Sequence, residues 1–117
     1  MSIGIGVQTR NNVMFVELNG ELDHHTSEQV RNKLNHVMET GNIEHAVFNL
    51  KRLDFMDSSG IGIILGRYNL LKERGGSVFV IGLNPTISNV FKLSGLTKIL
   101  NVVEDERQIK IMLEEAI

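Results

Sequence analysis

Apolar residues recur along this chain in two rhythms. Ile3–Thr9 and Val13–Leu18 are short, partly β-branched runs separated by Asn11-Asn12. Together they predict a hairpin closed by a tight turn. After Thr26 and Ser27, whose hydroxyls are candidate N-caps, Val30, Leu34, Val37 and Met38 recur at helical spacing until Gly41. His45–Leu50 is again a short, nearly all-apolar run, consistent with a strand covered on both faces.

The second half repeats the alternation. A helix is predicted from near Ser58, carrying Ile61, Ile64, Leu65, Tyr68 and Leu70-Leu71, and stopping at Gly75-Gly76. Ser77–Leu83 reads as a third buried strand, and Asn84-Pro85-Thr86 as a turn into a helix with Ile87, Val90, Phe91 and Leu93 that Gly95 closes. Ile99–Val103 is a candidate final strand and Glu106–Ala116 a terminal amphipathic helix. The order ββαβαβαβα implies an α/β domain with right-handed crossovers and a mostly parallel sheet behind an N-terminal hairpin. The pattern leaves open whether the helices cover one face or both. Function in such sheets gathers at the carboxyl ends of the strands. The segments Gly20–Thr26, Lys51–Ser59 and Leu83–Thr86 are therefore expected to share one edge.

Composition narrows the chemistry. With 117 residues the expectation is a single domain over 1–117. A formal net charge of -2 gives no nucleic-acid footprint. No apolar run is long enough to span a bilayer, and MSIGIGVQTR lacks a secretory pattern, so a cytoplasmic protein is expected. The absence of cysteine excludes disulfides, thiolate catalysis and Cys-ligated metals. Neither a Walker loop nor a Gly-x-Gly-x-x-Gly turn is present, and no cofactor is expected.

The densest polar motif is Asp57-Ser58-Ser59-Gly60-Ile61-Gly62 at the start of the second helix. A hydroxyl there ordinarily caps the helix. The same place also suits an anion, because free N–H groups and the helix dipole favour negative charge. Gly60 and Gly62 each cost a helix about 1 kcal/mol relative to alanine, which calls for close approach by a neighbouring surface. Gly62 and Gly66 lie one turn apart, fit either for packing on the sheet or for a partner helix. The second cluster is Gly20-Glu21-Leu22-Asp23-His24-His25-Thr26. Its adjacent histidines lack metal-ligand spacing and read as a solvent-facing pair. Asp23 is either a turn residue or a group that orients the serine hydroxyl across the shared edge. A serine hydrolase would need a base beside Ser58 or Ser59, and the sequence has no Gly-x-Ser-x-Gly elbow.

Gly20-Glu21-Leu22-Asp23, Asp54-Phe55-Met56-Asp57-Ser58-Ser59-Gly60 and the later Gly95-Leu96 resemble the STAS family of anti-sigma factor antagonists. GELDHHT, FMDSSG and ILGRY bring the likeness nearest its sporulation branch, which acts on sigma factor F, and it extends over essentially the whole chain. The resemblance implies a switch rather than an enzyme. An unmodified antagonist binds an anti-sigma factor that is also a serine kinase, with its bound ATP or ADP, and releases the sigma factor. The kinase phosphorylates the first serine of the motif, here Ser58, and binding is lost until a phosphoserine phosphatase removes the phosphate. Asp23, Asp57 and Ser59 then support the phosphorylation site, and Gly60, Ile61 and Gly62 belong to the partner-binding surface. Neither direct nucleic-acid contact nor membrane insertion is implied. The alternatives are a STAS antagonist or scaffold of a general stress response, or a small hydrolase using Ser58.

Overall fold

Five strands make one sheet in their order along the chain, β1-β2-β3-β4-β5, in a computed structural model that describes residues 2–115. The strands are β1 (Ile3–Arg10), β2 (Val13–Leu22), β3 (His45–Met56), β4 (Val78–Ile81) and β5 (Asn101–Val103); the helices are α1 (Ser27–Thr40), α2 (Ser58–Glu73), α3 (Pro85–Ser94) and α4 (Glu106–Glu115). Only β1 and β2 are antiparallel. Their register pairs Arg10 with Val13 across Asn11-Asn12, and Asn11 takes φ 56°, a left-handed conformation that asparagine tolerates. The other pairs are parallel, as helical crossovers require.

The sheet has two unequal faces. Met14, Val16 and Leu18 of β2, Ala46, Phe48 and Leu50 of β3, and Val78 and Val80 of β4 point to one side. There they meet Val30, Leu34 and Met38 of α1, Ile63, Ile64 and Leu71 of α2, and Ile87 and Phe91 of α3. The alternate residues Val13, Val47, Phe79, Ile81 and Val103 point to the other side and meet Ile109 of α4. Three helices thus cover one face and the fourth covers the opposite one, settling what periodicity left open.

Several boundaries differ from the expected ones. Strand β2 runs on to Leu22 and β3 to Met56, well past Leu18 and Leu50. The two extensions pair with each other through register shifts between Glu17 and Asn19 and between Gly20 and Glu21, which place extra residues in β3. At the second shift Gly20 takes φ +113°, and a Cβ there would lie 2.6 Å from the Ser2 carbonyl oxygen. Beyond Asn49 the β3 extension has no β4 partner, so β2 and β3, with β1 still paired to β2 as far as Gly20, project past β4 and β5. Strand β4 is shorter than Ser77–Leu83, and a 3-10 turn over Leu96–Lys98 precedes the short β5. The expected end of the last helix at Ala116 lies outside the described residues.

Candidate functional site

The tips of β2 and β3 bring the two polar motifs together. The Asp57 backbone N–H donates to the Leu22 carbonyl at 3.2 Å, so the chain leaving β3 is stitched to the end of β2. Asp57 then divides its carboxylate between two elements. Oδ1 accepts the Ser59 N–H at 2.8 Å and caps α2, while Oδ2 accepts the His24 N–H at 3.2 Å. One side chain therefore fixes the start of α2 and holds the Gly20–Thr26 segment against it. The expectation that separate loops share this edge is met through that carboxylate.

Ser58 is not the cap. It is the first residue of α2, exposed, and its hydroxyl enters no hydrogen bond among the described residues. The hydroxyl is thus free for chemistry without loss of a structural contact. Ser59 is half-buried and contributes its backbone N–H to the cap.

Of the two readings open for Asp23, the geometry fits the turn residue and not the group that orients the serine hydroxyl. Asp23 is buried at 4% exposure, and its Oδ1 accepts the N–H groups of His25 at 2.9 Å and Thr26 at 3.0 Å. Those donors, the Thr26 N–H foremost, hold its carboxyl below the usual carboxylate range against the opposing effect of burial. Oδ2 is enclosed without a partner. Asp23 thus shapes the turn whose His24 N–H reaches Asp57, and no hydrogen bond joins it to Ser58. The hydroxyls of Thr26 and Ser27 also turn back into this loop instead of capping α1: Thr26 Oγ1 accepts the Asp23 N–H at 3.0 Å and donates to the Glu21 carbonyl at 2.7 Å, and Ser27 Oγ donates to the His24 carbonyl at 3.2 Å. His24 and His25 are both exposed, their rings edge to face at 5.4 Å. Among the described residues no group of three or more metal-ligating side chains comes together.

The glycines of α2 separate into two roles. Gly60 is buried, and a Cβ on it would fall 2.6 Å from Met56 Cγ and 2.9 Å from Leu22 Cγ and Cδ2. The expectation that Gly60 belongs to the partner-binding surface is therefore corrected: its missing side chain lets α2 settle onto the tips of β2 and β3. Ile61 is half-buried and packs against the core. At Gly62 and Gly66 an added Cβ meets nothing within 4 Å, so these two do not serve packing on the sheet and leave a smooth open strip. The third segment expected at the edge, Leu83–Thr86, is there as well, held by an Asn84 side chain to which sequence reasoning gave no role. Asn84 caps α3 by accepting the Ile87 N–H at 2.9 Å, and its Nδ2 donates to the Leu53 carbonyl on the β3 extension at 2.8 Å. Asparagine immediately before Pro85 was a readable cap signal.

The STAS domain family model matches residues 5–109, nearly the whole chain. The chain belongs to the STAS family. An anti-sigma F factor antagonist from Paenibacillus polymyxa is 42% identical over 106 residues, covering 91% of each chain. The anti-sigma factor antagonist SpoIIAA in its unphosphorylated form superposes with a TM-score of 0.83 at 32% identity, over 95% of this chain and 97% of that one. The Bacillus cell fate determinant SpoIIAA in its phosphorylated form gives 0.74 at 33% identity, over 93% of this chain and 99% of that one. The STAS fold, with its N-terminal hairpin, otherwise parallel five-stranded sheet and four helices, agrees with the order expected from sequence. No helix among the described residues is long and apolar enough to cross a membrane.

Proposed function

We propose that this protein is an antagonist of an anti-sigma factor of the sigma F type and works as a phosphorylation-controlled binding switch. The observation that carries the reading is Ser58: an exposed hydroxyl with no hydrogen bond, at the first position of a helix that Asp57 already caps. The unmodified chain binds the anti-sigma factor, a serine kinase carrying ATP or ADP, and so frees the sigma factor. The kinase transfers the γ-phosphoryl group of ATP to Ser58 Oγ, and a phosphoserine phosphatase later removes it. Asp57 and Ser59 hold the helix start in place, and Asp23 supports them by shaping the loop that Asp57 grips. Gly62, with part of Ile61, contributes to the docking strip.

Phosphorylation adds about -1.5 to -2 charges and three acceptor oxygens at neutral pH. The helix N-terminus favours that charge by roughly 0.3–1 kcal/mol, so the fold tolerates it. A docked partner does not, because the bulky dianion stands beside the Asp57 carboxylate in a contact made for a neutral hydroxyl. The test is calorimetric titration of the unmodified chain, its phospho-Ser58 form and Ser58→Ala into the anti-sigma factor. Ser58→Ala is expected to bind, to take no phosphate, and to keep its stability within about 0.5 kcal/mol because it is not the cap. Phospho-Ser58 is expected to bind at least tenfold more weakly, about 1.4 kcal/mol. Equal affinity of the two forms, or phosphate located on Ser59, would overturn the proposal.

A further inference from the structure

Among the described residues, Arg67 is the one buried cation. It lies one turn after Ile63 and one turn before Leu71, on the core-facing side of α2, and is only 7% exposed. Its Nε and Nη1 are enclosed without a hydrogen-bond partner. The ion pairs among the described residues are Arg10–Glu106 and Arg107–Asp105, so no carboxylate answers it. Its charged neighbour is instead Arg31 of α1, and burial together with that guanidinium pushes its pKa down. A guanidinium is a rigid fork of five donors, and enclosing it unmatched opposes folding.

We propose that Arg67, with Arg31 beside it, receives a carboxylate of the anti-sigma factor when that protein docks along α2; the inference rests on the function proposed above. The placement follows from helix geometry. Arg67 comes one residue after Gly66, about 100° around the helix from the open Gly62–Gly66 strip. Helices α1 and α2 touch on the same face of the sheet, and the charge of Arg31 on α1 acts on Arg67. Arg67 therefore lies within the buried row of α2, on the side where α1 packs against it, and the way to it is the seam between those two helices. Of its three guanidinium nitrogens, only Nη2 is not among the enclosed, unpartnered atoms. A carboxylate entering the seam meets Nη2 first and, after a small rotation of the side chain, takes Nη1 as the second tooth of a bidentate pair. Two unpaired guanidiniums select an acidic group over a neutral carbonyl. The phosphate of Ser58 itself is ruled out as the occupant, since nine residues of helix separate the two positions by roughly 13 Å.

The experiment compares Arg67→Met, Arg67→Lys and Arg31→Gln with the wild type, by melting temperature and by titration with the anti-sigma factor at low and high salt. Arg67→Met is expected to melt at or above the wild-type temperature, to bind at least tenfold more weakly, and to show a flatter dependence of Kd on salt. Arg67→Lys is expected to recover part of the affinity, because it restores charge without the fork. Arg31→Gln, at an exposed position, is expected to lose a few-fold in affinity, mostly at low salt. Wild-type Kd and salt dependence in a folded Arg67→Met would overturn the inference, as would a lower melting temperature with unchanged binding. If Arg67→Met does not fold, unchanged Kd and salt dependence in the other two variants would overturn it. Failure of the wild type to bind would overturn the proposed function and this inference with it, so the wild-type control tells the two failures apart.

Discussion

Replacing Gly60 and Gly62 by alanine, one at a time, is expected to move stability in different directions. Both substitutions gain the same helix propensity, about 1 kcal/mol. At Gly62 nothing opposes the gain, because the new methyl group meets no atom within 4 Å. At Gly60 the methyl group falls 2.6 Å from Met56 and 2.9 Å from Leu22, residues only 3% and 0% exposed that have no solvent to move into. Overpacking of that kind costs about 1–3 kcal/mol. Since propensity is common to both variants, the difference between them isolates packing: Gly60→Ala is expected to be less stable than Gly62→Ala by about 1–3 kcal/mol. Urea unfolding measures this as a shift in midpoint at constant m-value. Binding to the anti-sigma factor adds a second reading, since a methyl group at Gly62, on the proposed docking strip, should weaken association while the fold becomes stronger. Equal stability of the two variants would refute the account of how α2 sits on the sheet.

Asp57→Ala removes a helix cap and the grip on the His24 N–H together, and is expected to cost about 1–2 kcal/mol in unfolding free energy, with faster amide exchange at His24 and Ser59. Exchange at those two amides equal to the wild type would contradict the bridging role. Asp23 has a depressed carboxyl pKa in the fold, so its contribution to stability is present above its ordinary value of 3.8 and is lost as the pH falls through the folded value. The stability gap between wild type and Asp23→Asn is therefore expected to be full at neutral pH and to close below 3.8 in urea midpoints measured across that range; a gap independent of pH would show that the charge is not what the loop uses.

The order of elements was legible because most runs kept one period and ended at Gly41, Gly75-Gly76 or Gly95. The second halves of β2 and β3 were not, for a reason visible in the register. The extra residues in β3 break its alternation, so Leu50, Leu53 and Met56 are buried at intervals of three, with Lys51, Arg52, Asp54 and Phe55 exposed between them. That spacing reads as loop or helix, not strand. The site motif was legible as a motif, but the division of labour within it was not. Asp57, Ser58 and Ser59 are all good capping residues, and only the backbone geometry gives the cap to Asp57. A signal for Gly60 existed and went unused: it lies three and four residues before the buried Ile63 and Ile64, whereas Gly62 is out of phase with the buried row. Arg67 is in phase with Ile63 and Leu71, but residue type masked its burial, since arginine within an apolar helix ordinarily extends to water.

The β2–β3 extension raises the question of reach. Beyond the last β4 pairing at Asn49, β3 continues for a length of roughly 20 Å before Ser58 begins its helix. Under the proposed function a kinase would have to bring its catalytic cleft down over the hydroxyl, and a serine level with a broad sheet edge would be shielded by the strands and loops on either side. Here the serine stands at the tip of a prow made by the ends of β2 and β3, with β1 alongside as far as Gly20 and Asn84 bracing it from below against the Leu53 carbonyl. The same prow puts distance between the hydroxyl and the face that carries α4. Under the proposed function, a group docked on that face would leave the hydroxyl at the tip open to the kinase.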